Sequence, residues 1–279
     1  MILITGATGT VGSELTQQLL AAGQAVRVLT RDANRVSDLT GRAEIAVGDL
    51  DSPDELRIAL DGVERVFLVT ASTQHDVNVL QAAKDVGVQH VVKLSTLEAV
   101  DPLMAEHVKW HREREELIRA SGLAWTFLRP TMFMSTALDW ARTIRQEGVI
   151  YFPGGEGKVP AVDPWDVAAV AAVALTEAGH EGRAYALTGP AALSFGEMAE
   201  VFTAVLGKPI RYVDVPEKEA GEDMRKAGLP DYVIEGLLGT FTVVRSGRLA
   251  YCTEDVEKVT GRAPRTFEAW CRDHLSAFQ

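Results

Sequence analysis

The chain of 279 residues is short of cysteine and of positive charge and has no long apolar run. Cys252 and Cys271 are its only cysteines, too few and too far apart for a disulfide framework, so we expect a reducing compartment. Lysine and arginine total 28 against 39 acidic residues, and the net charge of -11 argues against a nucleic-acid or anionic membrane surface. The longest late apolar run, Val167 to Leu175, is far shorter than a membrane span, and no basic leader follows Met1. We therefore expect a cytoplasmic globular protein that binds neither nucleic acid nor a membrane.

Short apolar runs alternate with helical segments through the first half of the chain. The strand-like runs are MILIT, AVRVLT, AEIAVG, ERVFLVT, HVVKLST and AWTFLRP, and helical patterns separate most of them. Strands that are apolar throughout are buried on both faces, and crossover helices make neighbouring strands parallel. The pattern predicts an α/β fold with a doubly wound parallel sheet.

Capping residues mark the ends of the predicted helices. Ser52–Glu55 and Asp163–Asp166 each place a cap residue before a proline, and Ser194–Glu197 has the form of a capping box. Four glycines stand where a helix should end: Gly23, Gly62, Gly87 and Gly122.

The pattern changes after Pro130. A helix is expected over about Phe133 to Gln146, followed by the Gly/Pro-rich stretch FPGGEGKVPAVDP, and the last part of the chain is mostly helical. We expect residues 1–190 to form the domain around the sheet and residues 191–279 a smaller lobe over its carboxyl edge. Residues 131–150 are expected to contribute to that lobe.

A glycine-rich turn, GATGTVG, follows the first strand directly and opens the first helix. Such a turn needs glycine so that the backbone can bend tightly and approach a pyrophosphate, which then faces the positive end of the helix. The spacing alone is a weak signal, but its place between a strand and a helix favours a dinucleotide site over a turn that only packs. The candidate residues are Gly6, Thr8, Gly9, Thr10, Val11 and Gly12.

The end of the second strand indicates which dinucleotide is bound. An acidic residue there would bind the adenosine ribose, whereas an arginine just beyond can pair with a 2'-phosphate. This chain has Thr30 and Arg31, with Arg35 one helical turn later, so NADP(H) is favoured; a solvated surface arginine is the alternative. Asp49 is a candidate contact on the adenine side or a simple turn residue, and Thr70 is a further candidate cofactor contact.

With these residues identified, the chain resembles the NmrA-like group of atypical short-chain dehydrogenases/reductases, which includes quinone and triphenylmethane reductases and an NADP-sensing regulator. The motifs that carry the resemblance lie in roughly the first two thirds of the chain and read GATGTVG, LTRD, GDLDSP, LST, SGLAWTFLRP and PGGEGKVPAVDPWDVA. The resemblance implies that residues 1–190 are an NADP-binding Rossmann domain and residues 191–279 a substrate-binding lobe. It also implies a small-molecule partner, with a homodimer or a protein partner left open.

Many members of that group carry a serine after the fifth strand and a YxxxK pair in the next helix. The tyrosine transfers a proton, and the lysine holds the nicotinamide ribose. Ser95 matches the serine, whereas His107 falls at the tyrosine position and His111 at the lysine position. The resemblance therefore makes Ser95, His107 and His111 the candidate catalytic residues.

The role of the histidine pair is left open. Residues four apart share one helical face, and the fold analogy points this face at the nicotinamide end of the cofactor. A zinc clasp needs a third ligand, and a zincin would carry glutamate where this chain has Val108, so we expect no metal site. The alternatives are proton donation or a ribose contact, and a solvated helix face. The solvated face is favoured by the charged neighbours Lys109, Arg112, Glu113, Arg114 and Glu115.

Candidate substrate contacts follow the sixth strand-like run, because ligands of such sheets bind at the carboxyl edge. They are Arg129, Phe133 and Met134, with packing as the alternative role. Lys158 could reach a cofactor phosphate or lie in solvent. We expect the core to contain most of Trp110, Trp125, Trp140 and Trp165.

Three functions are compatible with these features. The leading hypothesis is an NADPH-dependent oxidoreductase that reduces a small conjugated acceptor such as a quinone, because such an acceptor takes a hydride without a strong acid in place. The second is a non-catalytic NADP(H) sensor, since both catalytic positions are replaced. A nucleotide-sugar epimerase or dehydratase is the third, and the missing tyrosine weakens it because that chemistry needs a base for a hydroxyl proton.

Overall fold

The computed structural model describes residues 1–100 and 109–279. The strands are β1 (Ile2–Thr5), β2 (Val26–Thr30), β3 (Glu44–Val47), β4 (Arg65–Leu68), β5 (His90–Leu94), β6 (Ala124–Pro130), β7 (Val149–Phe152), β8 (Lys158–Val159), β9 (Arg183–Leu187), β10 (Leu193–Ser194) and β11 (Arg211–Asp214). The main sheet has seven strands in the order β3-β2-β1-β4-β5-β6-β9, and every neighbouring pair is parallel. The order reverses direction beside β1, which is where a doubly wound sheet opens a ligand cleft.

The helices are α1 (Thr10–Ala21), α2 (Pro53–Leu60), α3 (Thr73–Val86), α4 (Lys109–Ala120), α5 (Ala141–Glu147), α6 (Pro164–Thr176), α7 (Phe195–Leu206), α8 (Glu217–Lys226), α9 (Asp231–Arg245), α10 (Asp255–Thr260) and α11 (Phe267–Asp273). Short 3-10 helices cover Ala33–Leu39, Leu97–Val100, Met134–Trp140 and Leu275–Ala277. No helix in the two described ranges has both the length and the apolar character needed to cross a membrane.

The predicted caps form. Ser52 and Asp163 each accept a hydrogen bond from the first turn of the following helix, and the capping box of Ser194 and Glu197 has both of its bonds. The four glycines predicted at helix ends have positive φ angles: Gly23, Gly62, Gly87 and Gly122. Glycine is favoured there because it adopts this left-handed backbone conformation without steric cost.

The core lies on both faces of the main sheet and continues into the second half of the chain. Helices α1 and α6 pack on one face with the buried side chains of β1 and β2, and α2 and α3 pack on the other. A further cluster is drawn from residues 134–278 and contains aromatic side chains from α7 and α11, including Phe195, Phe202 and Trp270. Two small sheets flank this cluster, where β7 pairs with β11 and β8 with β10.

Two sequence-based expectations were wrong. The helix expected from Phe133 to Gln146 is a 3-10 helix, Met134–Trp140, followed by the short α5. Trp110 is not a core residue, since 45% of it is exposed, whereas Trp140 is buried. A tryptophan on a charged helix can cover its neighbours without being covered itself, and Arg114 stacks on this one at 5.1 Å from the ring centre.

Candidate cofactor and active site

The glycine turn is packed so tightly that two of its positions admit no side chain. Gly6 has a φ of +69°, and its carbonyl accepts a hydrogen bond of 2.9 Å from the backbone N–H of Gly9. A Cβ atom on Gly12 would lie 2.1 Å from the same carbonyl oxygen, well inside contact distance. Val11 is buried in the core and anchors the first turn of α1. The local sequence therefore holds a bare backbone at the positive end of a helix, as a pyrophosphate requires.

A cleft of about 410 Å³ opens beside this turn. It lies at the carboxyl ends of β1, β2, β3 and β4, and its size is within the range of cofactor sites. The predicted cofactor residues that line it are Gly6, Thr8, Arg31, Asp49 and Thr70. The other predicted residues, which form the turn and the start of α1 rather than the lining, are Gly9, Thr10, Val11 and Gly12.

The wall at the ends of β2 and β3 carries charges of both signs. Arg31 and Arg35 line the cleft just beyond β2, where a 2'-phosphate would need cations. Asp49 also lines the cleft, but its backbone N–H donates to Glu55 Oε2 at 2.8 Å and its side chain accepts from the N–H of Asp51 at 3.0 Å. Asp49 therefore is a turn residue that also lines the cleft, and its contact with the adenine side stays a prediction.

Thr70, at the floor of the cleft, is held by a buried charge cluster that sequence reasoning did not identify. Its hydroxyl donates to Asp76 Oδ1 and accepts from Lys93 Nζ at 3.0 Å, while the guanidinium of Arg114 bonds its carbonyl oxygen at 2.9 Å. Arg114 also bonds the second carboxylate oxygen of Asp76, and all three charged residues are at most 2% exposed. The cluster fixes the position of Thr70 from behind.

In this cluster the carboxylate of Asp76 lies between two cations, Lys93 and Arg114, which explains how the pKa values of Asp76 and Lys93 shift. Burial alone would raise the pKa of Asp76, but hydrogen bonds from Arg114 and the charge of Lys93 outweigh it, so the pKa lies below its usual value. Burial lowers the pKa of Lys93 to about 8, because the raising effect of Asp76 offsets burial only in part and the positive charge of Arg114 lowers the pKa further. Lys93 is the surplus cation.

His111 lies on α4 near this cluster and stays neutral. Burial, followed by the positive charges of Arg114 and Lys93, lowers the pKa of His111 to about 3. Its ring rests on that of Trp110, with 3.5 Å between the ring centres. An imidazole with this pKa cannot carry a transferable proton as imidazolium near neutral pH. His107, the other candidate, lies outside the described residues.

Ser95, Glu115 and Arg129 form a second polar cluster near the ends of β5 and β6. Ser95 donates its hydroxyl to Glu115 Oε1 at 2.7 Å, and Arg129 binds both carboxylate oxygens of Glu115, at 2.9 and 2.5 Å. Burial alone would raise the pKa of Glu115. Hydrogen bonds from Arg129 and Ser95 outweigh burial, so the pKa lies below its usual value and the carboxyl stays ionised. The structure thus pairs the predicted catalytic serine and the predicted substrate arginine with a common carboxylate.

The remaining candidates lie apart from the cleft. Phe133 is half-buried and precedes the 3-10 helix, and Met134 is 1% exposed in the second core cluster. Met134 also lines a smaller, mostly apolar cavity of about 130 Å³ with Leu193 and Met198. Lys158 is exposed and pairs with Glu197 at 2.6 Å. The roles of Phe133 and Met134 toward a substrate, and of Lys158 toward a cofactor phosphate, stay predictions.

A family model described as NAD(P)H-binding matches residues 6–178, a range that contains the glycine turn, both polar clusters and every residue that lines the cleft except Thr5. The chain belongs to the NAD(P)H-binding family. The predicted nicotinamide dinucleotide cofactor is thereby confirmed. The glycine turn fits this cofactor, because its backbone carries no side chains at Gly6 and Gly12 and a Cβ atom on Gly12 would clash with the turn.

Two named reductases are similar to this chain over its full length. A (4-alkanoyl-5-oxo-2,5-dihydrofuran-3-yl)methyl phosphate reductase of Streptomyces griseus is 41% identical over 100% of this chain and 99% of its own. An NAD(P)H azoreductase of Xenophilus azovorans is 39% identical, with the same coverage of 100% and 99%.

Solved structures confirm the predicted Rossmann fold and the resemblance to the NmrA-like group. The NADPH-dependent quinone oxidoreductase of Escherichia coli, solved with NADPH, superposes with a TM-score of 0.89 at 28% identity, over 99% of this chain and 100% of its own. A triphenylmethane reductase of Citrobacter sp. with NADP(H) gives 0.83 at 27% identity, over 96% and 98%. The negative transcriptional regulator NmrA with NADP gives 0.79 over 98% and 94%, and at 18% identity it shows the fold alone.

Proposed function

We propose that this chain is an NADPH-dependent reductase of a small, electron-poor, conjugated acceptor such as a quinone. The named relatives support this: an azo compound, a quinone and an unsaturated lactone are all conjugated acceptors. The arginines beside the cleft support the phosphorylated form of the cofactor.

The named reductases are the finding that most favours a conjugated acceptor, and the low pKa of His111 agrees with it. A carbonyl that becomes an alkoxide needs an acid in the site, and His111, with a pKa of about 3, cannot act as one near neutral pH. A quinone needs no acid when it takes the hydride, because the negative charge that it gains spreads over the ring and its two oxygens. The NmrA-type sensor remains the alternative if no acceptor is reduced.

The residues of the chain then position the reactants. When bound, NADPH supplies a hydride, which carries both electrons of the reduction, and a proton from water completes the hydroquinone. The bare backbone of the glycine turn holds the pyrophosphate, Arg31 and Arg35 hold the 2'-phosphate, and Thr70 supports the floor of the cleft. The carboxylate of Glu115 keeps Ser95 and Arg129 in fixed orientations at the neighbouring strand ends.

Steady-state oxidation of NADPH tests the proposal, with menadione, an azo dye and an unsaturated lactone as acceptors. We expect turnover with at least one of them and a kcat that changes less than about threefold between pH 6 and 7, because His111 does not titrate there and Lys93, with a pKa of about 8, stays charged. A kcat that falls tenfold for each unit of rising pH would show that an ionisable acid other than His111 supplies the proton. His107→Ala would then be the variant to examine. NADPH binding without oxidation of any acceptor would favour the sensor.

Replacing Arg31 should reduce the preference for NADPH. We expect Arg31→Ala to raise the Kd for NADPH by about tenfold or more and to leave that for NADH nearly unchanged, because one charge-assisted contact to the 2'-phosphate is lost. Tryptophan or nicotinamide fluorescence during titration provides the measurement. Arg42→Ala is the matched control, since Arg42 is an exposed arginine that bonds Gln17 and does not line the cleft. An equal loss for both dinucleotides would show that Arg31 does not read the phosphate.

A further inference from the structure

The Thr70 cluster, which consists of Thr70, Asp76, Lys93 and Arg114, carries more positive than negative charge. Lys93 and Arg114 are its two cations, and each bonds the one carboxylate, that of Asp76. The cluster is buried, with the Lys93 side chain 3% exposed and that of Asp76 fully covered. Water and salt screen a net positive charge in such a place only weakly.

The groups packed around Lys93 leave this charge uncancelled. Among the described residues, its in-register, charged and titratable neighbours are Leu68 of β4, Asp76 of α3, Arg114 and His111 of α4, and Phe127 of β6. Asp76 is the only negative group of this set, and the imidazole of His111 is neutral. Glu115, the next residue along α4 from Arg114, belongs to the second polar cluster.

Lys93 is connected to the cofactor cleft through Thr70. The Nζ atom of Lys93 donates to the Thr70 hydroxyl at 3.0 Å, and Thr70 lines the cleft. The hydroxyl hydrogen of Thr70 is donated to Asp76, so this hydroxyl has no hydrogen left for a ligand. Lys93 therefore acts on a bound molecule through its charge and through the position that it gives Thr70, and not by contact.

The residue before Thr70 packs on the glycine turn. The backbone N–H of Val69 donates to Thr5 Oγ1 at 2.7 Å, and a Cβ atom on Gly6 would stand 3.3 Å from the Val69 Cβ. Thr5, Gly6, Val69 and Thr70 all line the cleft. The positive cluster therefore adjoins the part of the cleft where the bare backbone of the turn suits a pyrophosphate.

We propose that Lys93 is a positioning residue of the cofactor site, whose charge, held behind Thr70, strengthens the binding of the anionic dinucleotide. A pyrophosphate is negatively charged, and a cation in weakly screened surroundings attracts it without touching it. The inference rests on the dinucleotide site and requires no turnover.

The pH dependence of binding tests this role. With a pKa of about 8, Lys93 is charged at pH 7 and loses its charge as the pH rises, whereas a bound anion favours the charged form. We expect the Kd of the wild-type protein for NADPH to rise roughly fivefold to tenfold between pH 7 and 9.5, measured by nicotinamide fluorescence at constant ionic strength. The 2'-phosphate is already ionised over this range. A Kd that stayed constant would overturn the proposal without any variant.

Lys93→Met assigns the pH dependence to one charge. Methionine fills much of the same space without a charge, and Asp76 keeps its bonds from Arg114 and Thr70. We expect the Kd of the variant to exceed that of the wild type by about tenfold at pH 7 and by less than about twofold at pH 9.5. The effect of any other titrating group cancels in this ratio. Circular dichroism establishes that the variant is folded.

Lys84→Met is the matched control, because Lys84 is exposed near the end of α3 and does not line the cleft. It should bind NADPH as the wild type does at every pH. A ratio for Lys93→Met near one at pH 7, or a tenfold ratio that persists at pH 9.5, would overturn the role of the charge. If the wild-type protein bound no dinucleotide, the cofactor site itself would be wrong, and this inference with it.

Discussion

Gly12→Ala should raise the Kd for NADPH by about 100-fold or more, because several backbone contacts to the pyrophosphate would be lost together. The added methyl group would stand 2.1 Å from the carbonyl oxygen of Gly6, and the atom in its way is backbone, which cannot rotate aside. The turn must therefore move, and the N–H groups that face the pyrophosphate move with it. Titration with NADPH, followed by fluorescence, measures the loss.

A graded series separates this effect from general destabilisation. A Cβ atom on Gly9 would lie 3.2 Å from the same carbonyl, so Gly9→Ala should weaken binding less, by about tenfold. Gly236, inside α9, has open space around it, and Gly236→Ala should leave binding unchanged and add about 0.5–1 kcal/mol of stability. Circular dichroism and thermal unfolding establish that each variant is folded. Binding by Gly12→Ala within threefold of the wild type would contradict the structure of the turn.

The features that the sequence predicted well are those that depend on local chemistry. The glycine turn, the helix caps and the alternation of apolar strands with helices each need only neighbouring residues, and the structure contains all of them. The short strands β7 and β11 were missed because each has only four residues and they pair with each other in a separate two-stranded sheet, outside the alternation of strands and helices that marks the main sheet.

The charged residues of α4 show where such reasoning fails. The run HREREE suggests a solvated helix face, yet Arg114 and Glu115 are 1% and 2% exposed. Each also has partners on other elements: Arg114 on α3, and Glu115 on β6 and just after β5. One signal was available, because Lys93 interrupts the apolar strand HVVKL and a lysine in a strand buried on both faces requires a buried partner. The identity of that partner depends on tertiary structure.

Removal of the single carboxylate in the Thr70 cluster should be the most destabilising change among the charged residues discussed. Asp76→Asn keeps the shape of the side chain but leaves Arg114 and Lys93 buried without a counter-charge. We expect the free energy of unfolding to fall by about 3–5 kcal/mol, measured by urea denaturation. Asp54→Asn is the control, because the Asp54 side chain is 93% exposed in its pair with Arg57 and water screens such a pair, so we expect almost no change in stability.

Lys93→Met tests whether the carboxylate, and not the cluster as a whole, is what the fold requires. Asp76 then still has the bonds from Arg114 and Thr70, and the surplus cation is gone, so we expect a change of less than about 1.5 kcal/mol. A loss as large as that of Asp76→Asn would mean that both cations are needed.

The pH dependence gives an independent check on Asp76. Its pKa in the folded protein lies below the usual value, so its stabilisation is complete above about pH 4 and is lost only as the pH falls through the lower, folded-state pKa. The gap between wild type and Asp76→Asn should therefore not narrow as the pH falls from 7 to 5, and any protonation of Lys93 in the variant, where its counter-charge is gone, would widen it. A gap that narrows toward pH 5 would mean that burial had raised the pKa of Asp76 instead.

Because Thr70 forms the floor of the cleft and bonds Asp76, the Asp76→Asn variant should also weaken NADPH binding, which links the buried charges to the cofactor site.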